Sequence, residues 1–125
     1  MLTFVLCASC GSSRQQSAAD AAQERVTILC VSDFAQLVDK HEMRVIDVRT
    51  RTEFNTGHIK GAENIDMKQP DFVDRVNARG PVAVYCRTGN RSYQAALMLA
   101  EQGITVYDLG GGIAAWRQAG KPTEK

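Results

Sequence analysis

The sequence carries no excess of one charge. Fifteen Lys and Arg stand against fourteen Asp and Glu, a formal net charge of +1, with no long run of either sign. That excludes the electrostatic footprint of a nucleic-acid binder and the basic helix of a membrane-surface protein. No apolar run suits a bilayer: the opening MLTFVLCASC has ten residues, and a spanning helix needs about 20. Cysteine is scarce, and Cys7, Cys10, Cys30 and Cys86 do not have the spacing of a disulfide framework. Cys7 and Cys10 form a C-x-x-C, but with no second pair and two histidines a zinc set is not expected. There are no internal repeats. The run Gly110–Gly112 is not G-x-G-x-x-G followed by an acidic partner, which excludes a dinucleotide site.

What remains is the makeup of one ordinary domain. A chain of 125 residues, 44% hydrophobic and 23% charged, builds a core without disulfide staples. Residues 1–24 stand apart from residues 25–125. The apolar opening ends in the small residues Ala8 and Ser9 before Cys10, and GSSRQQSAADAAQE follows, polar and rich in Gln, Ser and Ala. This resembles the end of a bacterial lipoprotein signal, with Cys10 as the lipidated residue and the polar stretch as a tether. Against it, no Lys or Arg precedes the apolar run, and Cys7 stands where such signals usually carry Leu. The second reading is a disordered start to a cytosolic chain. The two place the protein in the cell envelope or the cytoplasm, with a membrane reached only through the lipid.

From Arg25 onward, β-branched runs alternate with helical stretches. Strands are expected at Val26–Cys30, Met43–Val48, Ala62–Ile65, Pro81–Cys86 and Ile104–Leu109. Helices are expected at Ser32–His41 with Ser32 as N-cap, and at Thr50–Gly57, Asp71–Gly80, Ser92–Gly103 and Gly111–Gly120. Strand–helix alternation means βαβ units and a parallel sheet covered on both faces.

In such a sheet the ligand site lies at the carboxyl ends of the strands. The fourth strand ends at Cys86, and Arg87, Thr88, Gly89, Asn90 and Arg91 lead into the next helix. Unpaired N–H groups of that loop and helix start form a bowl for an anion. Gly89 permits the turn, and Arg87 and Arg91 add positive charge. All three stabilise a thiolate, the reactive form of cysteine. The bland alternative is a small buried core cysteine, which leaves two arginines and a glycine beside it without a role.

Three stretches carry a family resemblance: VIDVRTRTEFNTGHIKGAENI (Val45–Ile65), VYCRTGNRS at Cys86, and LGGGIAAWRQAGKP (Leu109–Pro122). Together they resemble the single-domain rhodaneses, from about Val26 to Pro122. The resemblance implies a three-layer α/β/α domain with five parallel strands in order 3-2-4-5-1. It also implies a sulfurtransferase. Cys86 would take the outer sulfur of thiosulfate as a persulfide, release sulfite, and pass the sulfur to cyanide or a thiol, with no cofactor or metal. The residues agree, since a ring of N–H donors suits the anionic sulfur and Arg87 faces an anionic substrate. Arg91 is expected to pair with Asp47, and Asp47 and Arg49 to support the site or form a solvated strand end. Thioredoxin, glutathione and a biosynthetic protein stay open as acceptors.

Two other functions compete. A cysteine phosphatase or arsenate reductase needs Cys, five residues, then Arg; here four residues separate Cys86 from Arg91, and the sixth position is Ser92. A non-catalytic or regulatory module of the same fold typically lacks the cysteine that is present here. Among the remaining residues, His58 is expected to make a structural hydrogen bond and His41 to end a helix. Trp116 is expected in the core or an interface, and Cys30 to be buried and inert.

Overall fold

The computed structural model describes residues 18–125. Cys7, Cys10 and the signal-like run lie outside the described residues. Ala18–Glu24, expected within a tether, is a helix (α1). Its Ala-rich sequence favours helix, and Ala22 is buried.

The strands are β1 (Val26–Leu29), β2 (Arg44–Asp47), β3 (Glu63–Asn64), β4 (Val82–Tyr85) and β5 (Val106–Leu109). The later helices are α2 (Val31–Lys40), α3 (Arg51–Asn55), α4 (Phe72–Val76), α5 (Asn90–Ala100) and α6 (Gly112–Gln118). The sheet is wholly parallel, in the order β1-β5-β4-β2-β3. Read from the other edge, this is the order the resemblance implied. All four residues of β4 are buried, as expected for a central strand covered on both faces.

Alternation along the strands sorts the core into two layers. Val82, Val84 and Cys86 pack with Phe72 and Val76 of α4 and Ala95, Ala96 and Leu99 of α5. Ala83, Tyr85 and Leu109 pack with Phe34 of α2 and Ile113 and Trp116 of α6. Trp116 meets Phe34 edge to face at 6.3 Å, and its Nε1 donates to the Pro122 carbonyl.

Several element ends differ from expectation, each for a local reason. Helix α2 begins at Val31, with Cys30 rather than Ser32 at the cap position and no side-chain cap bond. Cys30 is exposed, not buried, because β1 is an edge strand and the chain leaves the sheet there. Helix α4 stops at Val76, because Asn77 takes a left-handed backbone (φ 44°) well before Gly80. His41 ends α2 as expected, also with a left-handed backbone, φ 54°. Helix α3 starts with a capping box: the Thr50 side chain accepts the Glu53 N–H, and Glu53 accepts the Thr50 N–H.

Candidate active site

Cys86 follows the last residue of β4, and its Sγ accepts the N–H of Gly89 at 3.0 Å. The turn is tight because Gly89 sits at φ 110°, a conformation that side chains rarely adopt. Helix α5 then begins at Asn90, two residues before the expected Ser92. Asn90, Arg91 and Ser92 therefore form its first turn, where N–H groups have no intrahelical partners. The helix dipole adds partial positive charge at the same place.

A second element holds the loop from behind. The N–H groups of Ile113 and Ala114 in α6 donate to the carbonyls of Cys86 (2.9 Å) and Arg87 (3.0 Å). This close approach requires Gly112: a Cβ there would lie 2.4 Å from the Arg87 oxygen and 2.6 Å from that of Cys86. The Gly-Gly-Gly run thus anchors the cysteine loop.

The five loop residues divide by position. Arg87 and Thr88 are exposed, and Gly89 makes the turn. Thr88, Gly89, Asn90 and Arg91 line an open cleft of about 550 Å³, with Met67, Lys68 and Tyr93 among its other walls. Arg91 does not pair with Asp47. Its guanidinium makes a two-pronged bond to Glu53, at 2.8 and 2.9 Å. Asp47 is instead taken by Arg49, two residues along its own strand end. The Arg91 bond, aided by the Thr50 N–H and opposed by partial burial, holds the Glu53 carboxyl down at about 2. Reciprocally, the Glu53 hydrogen bond raises Arg91 above its ordinary value.

Asp47 and Arg49 do not form a solvated strand end: they are 0% and 2% exposed. Arg49 binds Asp47 through its backbone N–H, Nε and Nη2. It also donates to the Gly57 carbonyl and lies 5.7 Å from the Tyr85 ring centre. The Tyr85 hydroxyl accepts the Ile59 N–H. Burial, reinforced by the charge on Asp47, pushes the Tyr85 phenol up. A buried pair so fully hydrogen-bonded braces β2 against the loop after α3. His58, in that loop, shares a hydrogen bond with the Phe54 carbonyl through Nδ1 (3.1 Å) and stacks on the Phe54 ring. Its role is structural, as expected.

Sequence reasoning missed three residues of this site: Glu53, Gly112 and Asp108. The capping-box spacing Thr50-x-x-Glu53 was a usable signal for the first. Asp108, in β5, is 2% exposed and lines the cleft, and its Oδ1 has no hydrogen-bond partner. A lone Asp inside a strand gives no such signal in sequence.

A parallel five-stranded sheet with a cysteine loop at the head of its central strand defines a class, and the comparisons agree with it. Residues 31–119 match the model of the rhodanese-like domain, and the chain belongs to that family. The thiosulfate sulfurtransferase GlpE of Shewanella oneidensis is 36% identical over 93 residues, covering 73% of this chain and 92% of that protein. The chloroplastic thiosulfate sulfurtransferase 16 of Arabidopsis thaliana is 37% identical over 95 residues, covering 65% of this chain and 79% of that one. Among solved structures, a rhodanese-related protein of Thermoplasma volcanium superposes with a TM-score of 0.71 at 28% identity, covering 78% of this chain and 97% of that one. A protein of Rhodopseudomonas palustris described as a possible tyrosine phosphatase superposes with a TM-score of 0.68 at 27% identity, covering 86% and 91%. The chain is a sulfurtransferase of the rhodanese type.

Proposed function

We propose that the chain moves the outer sulfur of thiosulfate to cyanide or a thiol through a persulfide on Cys86. The Cys86 thiolate attacks the outer sulfur; the S–S bond of thiosulfate breaks, and sulfite leaves with the bonding pair. The persulfide sulfur is then attacked by cyanide or a thiolate, and Cys86 departs as thiolate. No cofactor enters either step. The observation that carries this reading is the Gly89 N–H directed at Cys86 Sγ, beside the unpaired first turn of α5, which favours an anionic sulfur. The names of the relatives, thiosulfate sulfurtransferases, support the donor. Exposed Arg87 meets the dianion, and Asp47 and Arg49 act as a brace. A thioredoxin-like protein is one thiol acceptor compatible with so open a cleft.

The test is mass spectrometry after thiosulfate exposure. The protein gains about 32 Da, one sulfur, on the peptide containing Cys86, as covalent catalysis requires. Cys86→Ser gains nothing, and an unchanged gain in that variant would refute the assignment. The phosphatase reading is disfavoured by a specific contact. A phosphatase arginine must offer both prongs to phosphate, and both prongs of Arg91 are bound to Glu53. Aryl phosphate hydrolysis at background level is therefore expected.

A further inference from the structure

Asp108 takes no part in the chemistry proposed above, yet it stands directly behind the cysteine loop. Its register partner in β4 is Val84, and it stands two residues after Val106, so it points to the face that carries Val82, Val84, Cys86 and Val106. Helix α5 covers that face. Ser92, in its first turn and fully buried, faces the Asp108 carboxyl closely enough to counter part of the rise that burial imposes on it, while the Asp108 Oδ1 is buried with no hydrogen-bond partner. The Ser92 hydroxyl also lies 3.2 Å from the Gly89 carbonyl, to which it donates. The amide of Gly89 in turn holds Cys86 Sγ. The Ser92 hydroxyl is thus bonded to the carbonyl of the residue that grips the sulfur, with the unpartnered Asp108 carboxyl beside it as an alternative acceptor.

We propose that Asp108 is a positioning residue for the sulfur loop, acting through Ser92 and Gly89. When neutral, its carboxyl donates to Ser92 Oγ, and the Ser92 proton goes to the Gly89 carbonyl. When ionised, it draws the Ser92 proton to itself, releases that carbonyl and sets a buried negative charge behind an anionic sulfur. The proposal rests on Cys86 as the sulfur carrier. Burial, opposed by the nearby Ser92 hydroxyl, raises Asp108 from 3.8 to about 6, so the changeover falls near that pH.

The other ionisable groups around it are few. Just past the end of β4 there is Cys86. Helix α5 contributes Arg91, already neutralised by Glu53, and Tyr93. Lys68 lies across the cleft, to which β1 presents only Ile28. Behind α5, α1 buries Ala22.

The test is the pH dependence of Cys86 alkylation by iodoacetamide, read on the Cys86 peptide by mass spectrometry so that exposed Cys30 does not contribute. The wild-type rate curve carries a second inflection near pH 6, where ionisation of Asp108 slows alkylation about two- to tenfold against a single-ionisation curve, as expected for a charge at this range. Asp108→Asn lacks that inflection, and Asp108→Glu keeps one. A purely structural Asp108 would alter stability and leave the curve unchanged. A wild-type curve with one ionisation, or an inflection that survives in Asp108→Asn, overturns the proposal. The wild-type curve decides even if Asp108→Asn does not fold. Thiosulfate labelling of the same samples separates the two readings: a second inflection without sulfur uptake would reject Cys86 as carrier and leave the coupling to Asp108 standing.

Discussion

Arg87 and Arg91 flank the same loop but act on different things. Arg87 is exposed, while Arg91 ties the first turn of α5 to α3 through Glu53. Arg87→Ala is expected to lower kcat/KM for thiosulfate about ten- to a hundredfold, since a charge-assisted hydrogen bond contributes roughly 1.5–3 kcal/mol. Its melting temperature should match the wild type. Arg91→Ala should also lower stability, by about 1 kcal/mol for a partly exposed pair, or about 3–5 °C in Tm for a domain of this size. Steady-state kinetics and calorimetry on both variants check the division, and equal melting temperatures would contradict it.

At the scale of elements, the site depends on how closely α6 approaches the cysteine loop. Gly112 sits at φ +62° with the Cys86 and Arg87 carbonyls against its Cα. Gly112→Ala forces α6 or the loop to move, so both stability and sulfur uptake should fall, the latter at least tenfold by analogy with other misplaced reacting groups. Gly103 offers the control. It is also left-handed, at φ +87°, but nothing lies within 4 Å of its would-be Cβ. Gly103→Ala should lose about 1–2 kcal/mol of stability from backbone strain and keep its rate of sulfur uptake. Equal losses of uptake in the two variants would mean that strain, not the approach of α6, explains the glycine.

At the scale of the whole molecule, two carboxyls bend the pH profile of stability in opposite senses. Glu53 has its folded value depressed from 4.5 to about 2. Its contribution is present above pH 4.5 and is lost as the pH falls toward 2. Asp108 is raised from 3.8 to about 6. The folded state then binds more protons than the unfolded one between those values, so stability falls as pH rises through that window. Melting temperatures across pH should show Arg91→Ala converging on the wild type below pH 4.5. Asp108→Asn should gain on the wild type between pH 4 and 6 and hold a constant lead above.

The sequence by itself determined the layout. Short β-branched runs and helical stretches placed five strands and the helices between them, and their alternation required a parallel sheet with its site at the carboxyl ends. The Cys86 loop and the three family stretches were legible because they are local, contiguous patterns. Helix ends were less so: Asn77 stops α4 by a left-handed backbone that a non-glycine residue does not advertise. Only the tertiary structure decided the partners. Arg91 reaches back 38 residues to Glu53, while Asp47 is satisfied by Arg49 two residues away. Either carboxylate was chemically suitable, and side-chain reach across the folded loops made the choice. The burial of Asp108 likewise arises from β5 lying under α5, and the need for Gly112 from α6 closing on the loop. Such facts depend on which surfaces meet, and a linear pattern of residue types does not record that.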